Sequence, residues 1–441
     1  MASEVQKPIP LQRLSQHRDP LTGMCTIASS KTGGDARQGE MTASPDDEGI
    51  SLPPVDKGIA AWSFVAAGFM LETLVWGFGF TYGVFQEYFL HNRTFGNASE
   101  AGIGAVGTVA LAIEYFEVLF VNIIAQQWPH RTRLMMWSSL ALCCGSLFLA
   151  SFATQVSHLI LLQGILFGIG GGGLYAPVII YLSEWFSARR GLAAAIIFRG
   201  SGAVGACFPI AVSFLLSNLG FRWSLRIWAA FMLVFGALAL AFTRPRLPVV
   251  RTQTSEGPSL WTRLTRQRWS FLKNPLFICM TVTTFIQAVA YFPVSLYMTV
   301  YTASLGLPAL NGSLVLSVFN FFEYYRPNYF WSCLLGVIFA FVIIFGSLSG
   351  GFASVWPAVS VDIAGSEESV FLNVYGLLTM TKGVAAIIGP LIASALYRPE
   401  EAAVRNTYSG YGFRDVTLFV GSMMVATALG GVAAKWAKRV V

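Results

Sequence analysis

The sequence predicts an all-α polytopic membrane protein, and three observations carry that expectation. Hydrophobic residues fill 55% of the 441 positions and charged residues only 12%, about half the charged share of an ordinary soluble domain. Apolar runs long enough to cross a bilayer, which takes roughly 20 residues in a helix, recur along almost the whole chain. The charges are confined to short segments between those runs. Backbone amides and carbonyls cannot go unpaired in lipid, so each run is expected to be helical.

Spans are expected at 60–84, 103–127, 133–153, 158–182, 191–216, 224–243, 275–299, 308–325, 330–362, 374–397 and 414–434. Residues 1–55 are polar and mixed in charge, as in "KTGGDARQGEMTASPDDEG", and are expected to form a disordered cytoplasmic tail. The tail contains no apolar run of the kind that a cleaved signal peptide needs, so the first span is expected to direct insertion. Residues 56–243 are then a first six-helix bundle, 244–273 a basic cytoplasmic linker, and 274–441 a second bundle.

The placement of basic residues sets the expected orientation. Arg131 and Arg133 follow span two, Arg189 and Arg190 follow span four, and the linker holds Arg244, Arg246, Arg251, Arg263, Arg266, Arg268 and Lys273. All fall on one side of the bilayer if the tail is cytoplasmic, and a plasma-membrane location fits that arrangement. The opposite loop, 91–101, carries the glycosylation sequons at Asn92 and Asn97. The net charge of +7 does not indicate nucleic-acid binding, because it is scattered between spans and forms no single basic face.

Six helices, a basic loop and a second set of helices form the pattern of the major facilitator superfamily, whose members surround a central substrate site with two bundles. Two segments make the resemblance more specific. "DKGIAAW" enters span one with Asp56, Gly58, Ala61 and Trp62. "WFSARRGLAAAIIFRGS" enters span five with Trp185, Phe186, Arg189, Arg190, Leu192, Ala193, Gly200 and Ser201. Both resemble signature segments of the fungal monocarboxylate-porter branch, with departures at Lys57, Ile59, Ala188, Ala195, Ile197 and Arg199. The resemblance runs from about residue 56 to the C-terminus. It implies a secondary transporter for a small organic solute, a monocarboxylate or related anion coupled to protons. An efflux carrier for a fungal secondary metabolite is the alternative. A non-transporting sensor or an inactive truncated member are further alternatives.

One region departs from that pattern. Between Asn320 and Leu335 the branch has the end of helix eight, a basic loop and helix nine, whereas this chain has only "FFEYYRPNYFWSCL". Eleven spans would also leave the basic "KWAKRVV" on the side opposite the tail. Either 308–362 folds as unusual short or re-entrant helices, or the chain lacks an internal segment.

Charges inside spans mark the candidate site, since each costs roughly 2.5–3.5 kcal/mol at mid-bilayer on insertion scales. Arg199 lies roughly 12 Å into span five, and Lys382 at similar depth. Glu72 lies in span one, and Glu114 and Glu117 in span two. Arg199 and Lys382 suit an anionic substrate, and a glutamate suits a coupled proton; a structural ion pair or a snorkelling side chain is the alternative, and it is the favoured reading for Lys382. If helices two and eleven face each other, as the resemblance implies, Glu114 or Glu117 pairs with Lys382. Gln287, Tyr291, Tyr297 and Asn320 are polar enough to line a cavity. Helix one lacks the lysine of animal lactate carriers, so the resemblance does not carry over a substrate.

Enzymatic readings find little support. His17, His91, His130 and His158 have no metal-ligand spacing, the six cysteines form no CxxC pair, and no P-loop appears. No cofactor or metal is expected. The expected partners are a small-molecule substrate, protons and the lipid bilayer. The run "GILFGIGGGGLYAP" contains Gly168, Gly170 and Gly173 in dinucleotide-fingerprint spacing. It follows no strand and lies inside span four, so it is not a nucleotide site. Gly164, Gly168 and Gly172 instead form a small-residue face for close helix packing. Ser201 and Gly205 on span five offer a matching face, and Pro177 predicts a bend.

Overall fold

A computed structural model describes residues 52–96, 98–247, 269–304, 313–318, 340–341, 344–345, 352, 355–365, 367–398 and 412–440. Every regular element among them is helical. In chain order the helices are α1 (Ile59–His91), α2 (Glu100–Phe116), α3 (Val118–Gln127), α4 (Thr132–Ala150), α5 (Val156–Leu159), α6 (Phe167–Trp185), α7 (Arg190–Phe242), α8 (Pro275–Ser304), α9 (Trp356–Ala364), α10 (Glu368–Leu396) and α11 (Arg414–Val440). A π-helical segment, Ile160–Leu166, joins α5 to α6. Among the described residues, eight helical stretches are long and apolar enough to cross a membrane.

The span expectations hold with specific corrections. Span two runs as expected over Glu100–Gln127, with a local irregularity at Glu117 between α2 and α3. Spans five and six are separated, as expected, by a kink inside α7 at Gly220, whose φ of 73° lies in the left-handed region that glycine tolerates. The chain reverses there. Trp185 Nε1 donates to Arg244 O at 2.8 Å, and the amides of Arg246 and Leu247 donate to Glu184 at 2.9 and 3.2 Å. Of the expected spans 308–325 and 330–362, only short helical pieces fall within the described residues. Asn320 and the 320–335 region lie outside them, as do Asn97 and most of the linker.

The parity problem at the C-terminus is resolved. Residues 53–56, 184–190 and 244–246 gather at one end of the bundle, called here the tail end. The Arg190 guanidinium lies 4.2 Å from the ring centre of Phe371, so α10 starts at that end. Lys438 near the end of α11 pairs with Asp362 near the end of α9. At the other end of α10, Arg398 pairs with Asp415 at 3.0 Å, where α11 begins. Lys435, Lys438 and Arg439 therefore lie with the other basic segments, not on the opposite side as eleven spans required.

The helices approach closely where glycine removes a side chain. A Cβ on Gly200 of α7 would stand 2.5 Å from Phe69 O of α1, and one on Gly389 of α10 would stand 2.5 Å from Val289 O of α8. Such approaches substitute for a hydrophobic driving force, which lipid does not supply between helices.

Candidate functional site

The two signature segments meet at the tail end. Asp56 accepts three backbone N–H bonds, from Ser187 at 3.0 Å, Ala188 at 3.0 Å and Arg189 at 2.9 Å. Its own amide donates to Trp185 O at 3.0 Å. Asp56 takes φ of 60° to do so, and Gly58 follows at φ 90°, both in the left-handed region that a non-glycine residue rarely occupies without support. Trp62 packs edge-on to Phe186 at 5.6 Å, and Phe64 stacks on Trp185 at 6.3 Å. Asp56 thus ties the start of α1 to the start of α7. Arg190 carries the connection onward to α10 through Phe371. Gly200 is a point of close contact between α7 and α1, while the Ser201 hydroxyl donates to Phe198 O within its own helix, at 2.8 Å.

The Arg189 amide holds the Asp56 carboxyl below the usual carboxylate range, and the Ala188 and Ser187 amides add to the effect. A depressed group contributes while ionised, so this latch is complete at neutral pH and opens only as pH falls through the lowered value. Asp56→Ala is expected to expose the 187–190 loop. Trypsin should then cut after Arg189 or Arg190 markedly faster than in the parent chain at pH 7. Equal cleavage rates would show that Asp56 does not hold the loop.

Midway between the two ends sits a buried cation among aromatic rings. Lys382 on α10 is 6% exposed. Its ammonium lies 4.8 Å from the ring centre of Tyr115 (α2), 5.2 Å from Tyr291 and 5.7 Å from Phe292 (α8), and 5.2 Å from Trp356 (α9). Cation–π attraction contributes roughly 2 kcal/mol or more at a desolvated site, so the rings offset part of the cost of burying this charge. The aromatic layer extends further. Trp76 of α1 packs on Tyr115 at 4.4 Å and on Tyr175 of α6 at 5.6 Å. The Tyr175 hydroxyl lies 3.2 Å from that of Tyr375 on α10. Rings from α1, α2 and α6 thereby meet rings from α8, α9 and α10 around one positive charge. Gln287, one turn before Tyr291, is buried on α8, and Tyr297 lies farther along the same helix.

Two contacts join the two sets of helices on either side of the layer. Toward the tail end, a Cβ on Gly376 of α10 would lie 2.8 Å from Leu119 of α3. Toward the far end, Thr299 of α8 donates to Gly83 O of α1 at 2.8 Å.

Glu114 and Glu117 do not pair with Lys382, contrary to expectation. Successive residues on a helix are rotated by about 100°. Tyr115 faces α10, whereas Glu114 and Glu117, one turn apart, face the glycine run of α6. A Cβ on Gly171 would lie 2.9 Å from Glu114 Oε1, and one on Gly172 would overlap the Glu117 carboxyl group. The expected partner of the glycine face is corrected by the same contacts. Gly164 and Gly168 take the backbone of α2, at Val106 O and Ala110 O, while Gly170 and Gly173 take Ser139 and Cys143 of α4. Helix α7 instead packs Gly200 on α1. Pro177 lies inside α6 as expected, and the helix runs through it.

Glu72 is buried between the two features, and a Cβ on Gly200 would stand 3.1 Å from the Glu72 Cβ. Arg199 is exposed on α7 and is not one of the residues around Lys382. Asn92 caps the end of α1, with Nδ2 donating to Tyr88 O at 3.0 Å. Sequence reasoning found Lys382 and Tyr291 but missed Tyr115, Phe292, Trp356, Trp76, Tyr175 and Tyr375. The available signal was an aromatic residue within a helical turn of each in-span charge, as at Tyr115 and Trp76.

A family model described as Major Facilitator Superfamily matches residues 59–323. Among curated proteins, the chain is 26% identical to the MFS transporter asaE of Aspergillus flavus, over 88% of this chain and 89% of that one. It is 25% identical to the aspyridones efflux protein apdF of Emericella nidulans, over 90% and 83%, and 26% identical to an agnestins efflux protein of Paecilomyces divaricatus, over 81% and 79%. Among solved structures, a bacterial homologue of the human lysosomal transporter Spinster superposes with a TM-score of 0.59 at 15% identity, over 86% of this chain and 98% of that one. The peptide transporter POT in complex with sulfate superposes with a TM-score of 0.62 at 12% identity, over 87% and 97%. Identities this low show the fold alone. With the family model matching more than half of the chain, this protein belongs to the Major Facilitator Superfamily and is a multi-pass membrane transporter, not an enzyme.

Proposed function

We propose that the chain exports an aromatic organic acid together with a proton, with Lys382 and its surrounding rings as the substrate site. The observation that carries this reading is the Lys382 ammonium enclosed by Tyr115, Tyr291, Phe292 and Trp356. A carboxylate entering this layer gains a desolvated cation, and a flat ring gains stacking faces from both sets of helices. An aliphatic acid such as lactate gains only the first, so the site favours aromatic over small aliphatic monocarboxylates. The efflux names of relatives from Emericella nidulans and Paecilomyces divaricatus support export of a metabolite made inside the cell.

Moving an anion and a proton together transfers no net charge, so the product leaves down its own gradient. Rocking of α1, α2 and α6 against α8, α9 and α10 would break the far-end contact at Thr299 or the tail-end contacts at Arg190 and Leu119 in turn. The orientation that places the basic end in the cytoplasm of a plasma-membrane protein follows the positive-inside rule.

The experiment is a paired efflux assay. Mandelate and lactate are the same 2-hydroxy acid with a phenyl ring in place of a methyl group. Yeast cells producing the chain, loaded with either labelled acid, should release mandelate at least about tenfold faster than non-producing cells, with little change for lactate. Equal release of mandelate with and without the chain would refute the export reading. Faster release of lactate than of mandelate would return the site to a simple monocarboxylate carrier.

A further inference from the structure

The glycine run of α6 does more than bring helices together. Glu114 on α2 is 0% exposed, and neither of its carboxyl oxygens has a hydrogen-bond partner among the described residues. It lies in a slot built from residues without side chains. A Cβ on Gly171 of α6 would stand 2.9 Å from Oε1, and a Cβ on Gly79 of α1 would stand 3.6 Å from Oε2. One turn on, Glu117 occupies the space left by Gly172. The neighbouring ionisable groups give no compensating positive charge. They are Glu117 on the same helix, Glu72 on α1 and Cys143 on α4, while α6 presents only glycines and α10 turns Lys382 toward Tyr115 instead. A carboxyl group buried without a partner beside other carboxyl groups is carried as the neutral acid.

We propose that Glu114 is the proton-carrying group of the transport cycle, protonated while the glycine slot encloses it and able to release its proton when α2 moves off α6. This assignment rests on the proton-coupled export reading for its role in turnover. The chemistry is a single reversible step: the carboxylic acid gives its proton to water and leaves a carboxylate, and protonation reverses this. The irregular turn at Glu117 and the π-helical segment Ile160–Leu166 lie next to the slot on α2 and α6. Such irregular turns are where helices accommodate changes in packing. Glu114 adjoins Tyr115 in sequence, so movement of α2 reaches the slot and the substrate layer together.

Two measurements on the purified full-length chain separate this assignment from the export reading. The first needs no substrate. The infrared spectrum should contain the carbonyl stretch of a protonated acid that accepts no hydrogen bond, and Glu114→Gln should remove it while Glu117→Gln keeps it. The second uses proteoliposomes. Glu114→Gln should keep mandelate counterflow, which requires no net proton movement, and lose at least about tenfold of the mandelate accumulation driven by a pH gradient. Glu114→Asp, which retains the acid, should restore part of that accumulation. Persistence of the band in Glu114→Gln, or undiminished pH-driven accumulation, overturns the assignment while leaving the export reading intact. If the parent chain shows no mandelate counterflow, the export reading fails, and the infrared band alone decides whether Glu114 holds the proton.

Discussion

Lys382→Met is expected to weaken binding of an aromatic acid by about 100-fold. Methionine keeps the unbranched stem beside Tyr115, Tyr291, Phe292 and Trp356 and removes the charge. Losing one partner of a desolvated charge pair costs roughly 2–5 kcal/mol, and about 1.4 kcal/mol corresponds to a tenfold change in affinity. A purely structural lysine predicts a different pattern, because removing one member of a buried charged contact costs stability and leaves the affinity for mandelate unchanged. Affinity for mandelate is the readout that discriminates. An unchanged dissociation constant in a folded Lys382→Met variant would remove Lys382 from the substrate site.

Gly172→Val should lower thermal stability and stop coupled transport, and Glu117→Ala should restore the stability in the double variant. A side chain on Gly172 would occupy the volume of the Glu117 carboxyl group. Overpacking of this kind costs typically about 1–3 kcal/mol, and a branched residue in a close helix contact belongs at the upper end. Glu117→Ala empties the same volume, so the two changes should be strongly non-additive. Independent, additive losses would show that α2 does not rest on the glycine face of α6 in the manner described. This cycle tests packing alone, and a failure here would leave the Lys382 site untouched.

The early spans were legible because their signal is simple. Long apolar stretches such as 60–84 and 133–153 admit only one structure in lipid, and α1 and α4 follow them closely. The turn at Gly220 was legible as the gap between 216 and 224. The irregularity at Glu117 was not, because it lies inside an apolar span and depends on tertiary contacts that no local pattern carries. The small-residue spacing of Gly164, Gly168 and Gly172 identified a packing face correctly but assigned it the wrong neighbour, because spacing defines one surface and not what covers it. The same limit explains the pairing expected for Lys382. Adjacency of α2 and α10 was correct, yet Glu114 is rotated away from Lys382 and Tyr115 is rotated toward it. Asp56 shows the reverse case. The signature segments were visible about 130 residues apart, and only the fold shows that one caps the loop of the other.

Binding of an aromatic anion at the ring-enclosed Lys382 can be measured by calorimetric titration of the purified chain with three matched compounds. Mandelate has both the ring and the carboxylate, lactate lacks the ring, and 1-phenyl-1,2-ethanediol lacks the charge. The predicted order is mandelate tightest, with each of the other two weaker by at least about tenfold, and with the preference over the uncharged diol lost in Lys382→Met. Equal affinity for all three, or a preference for the uncharged diol, would contradict it.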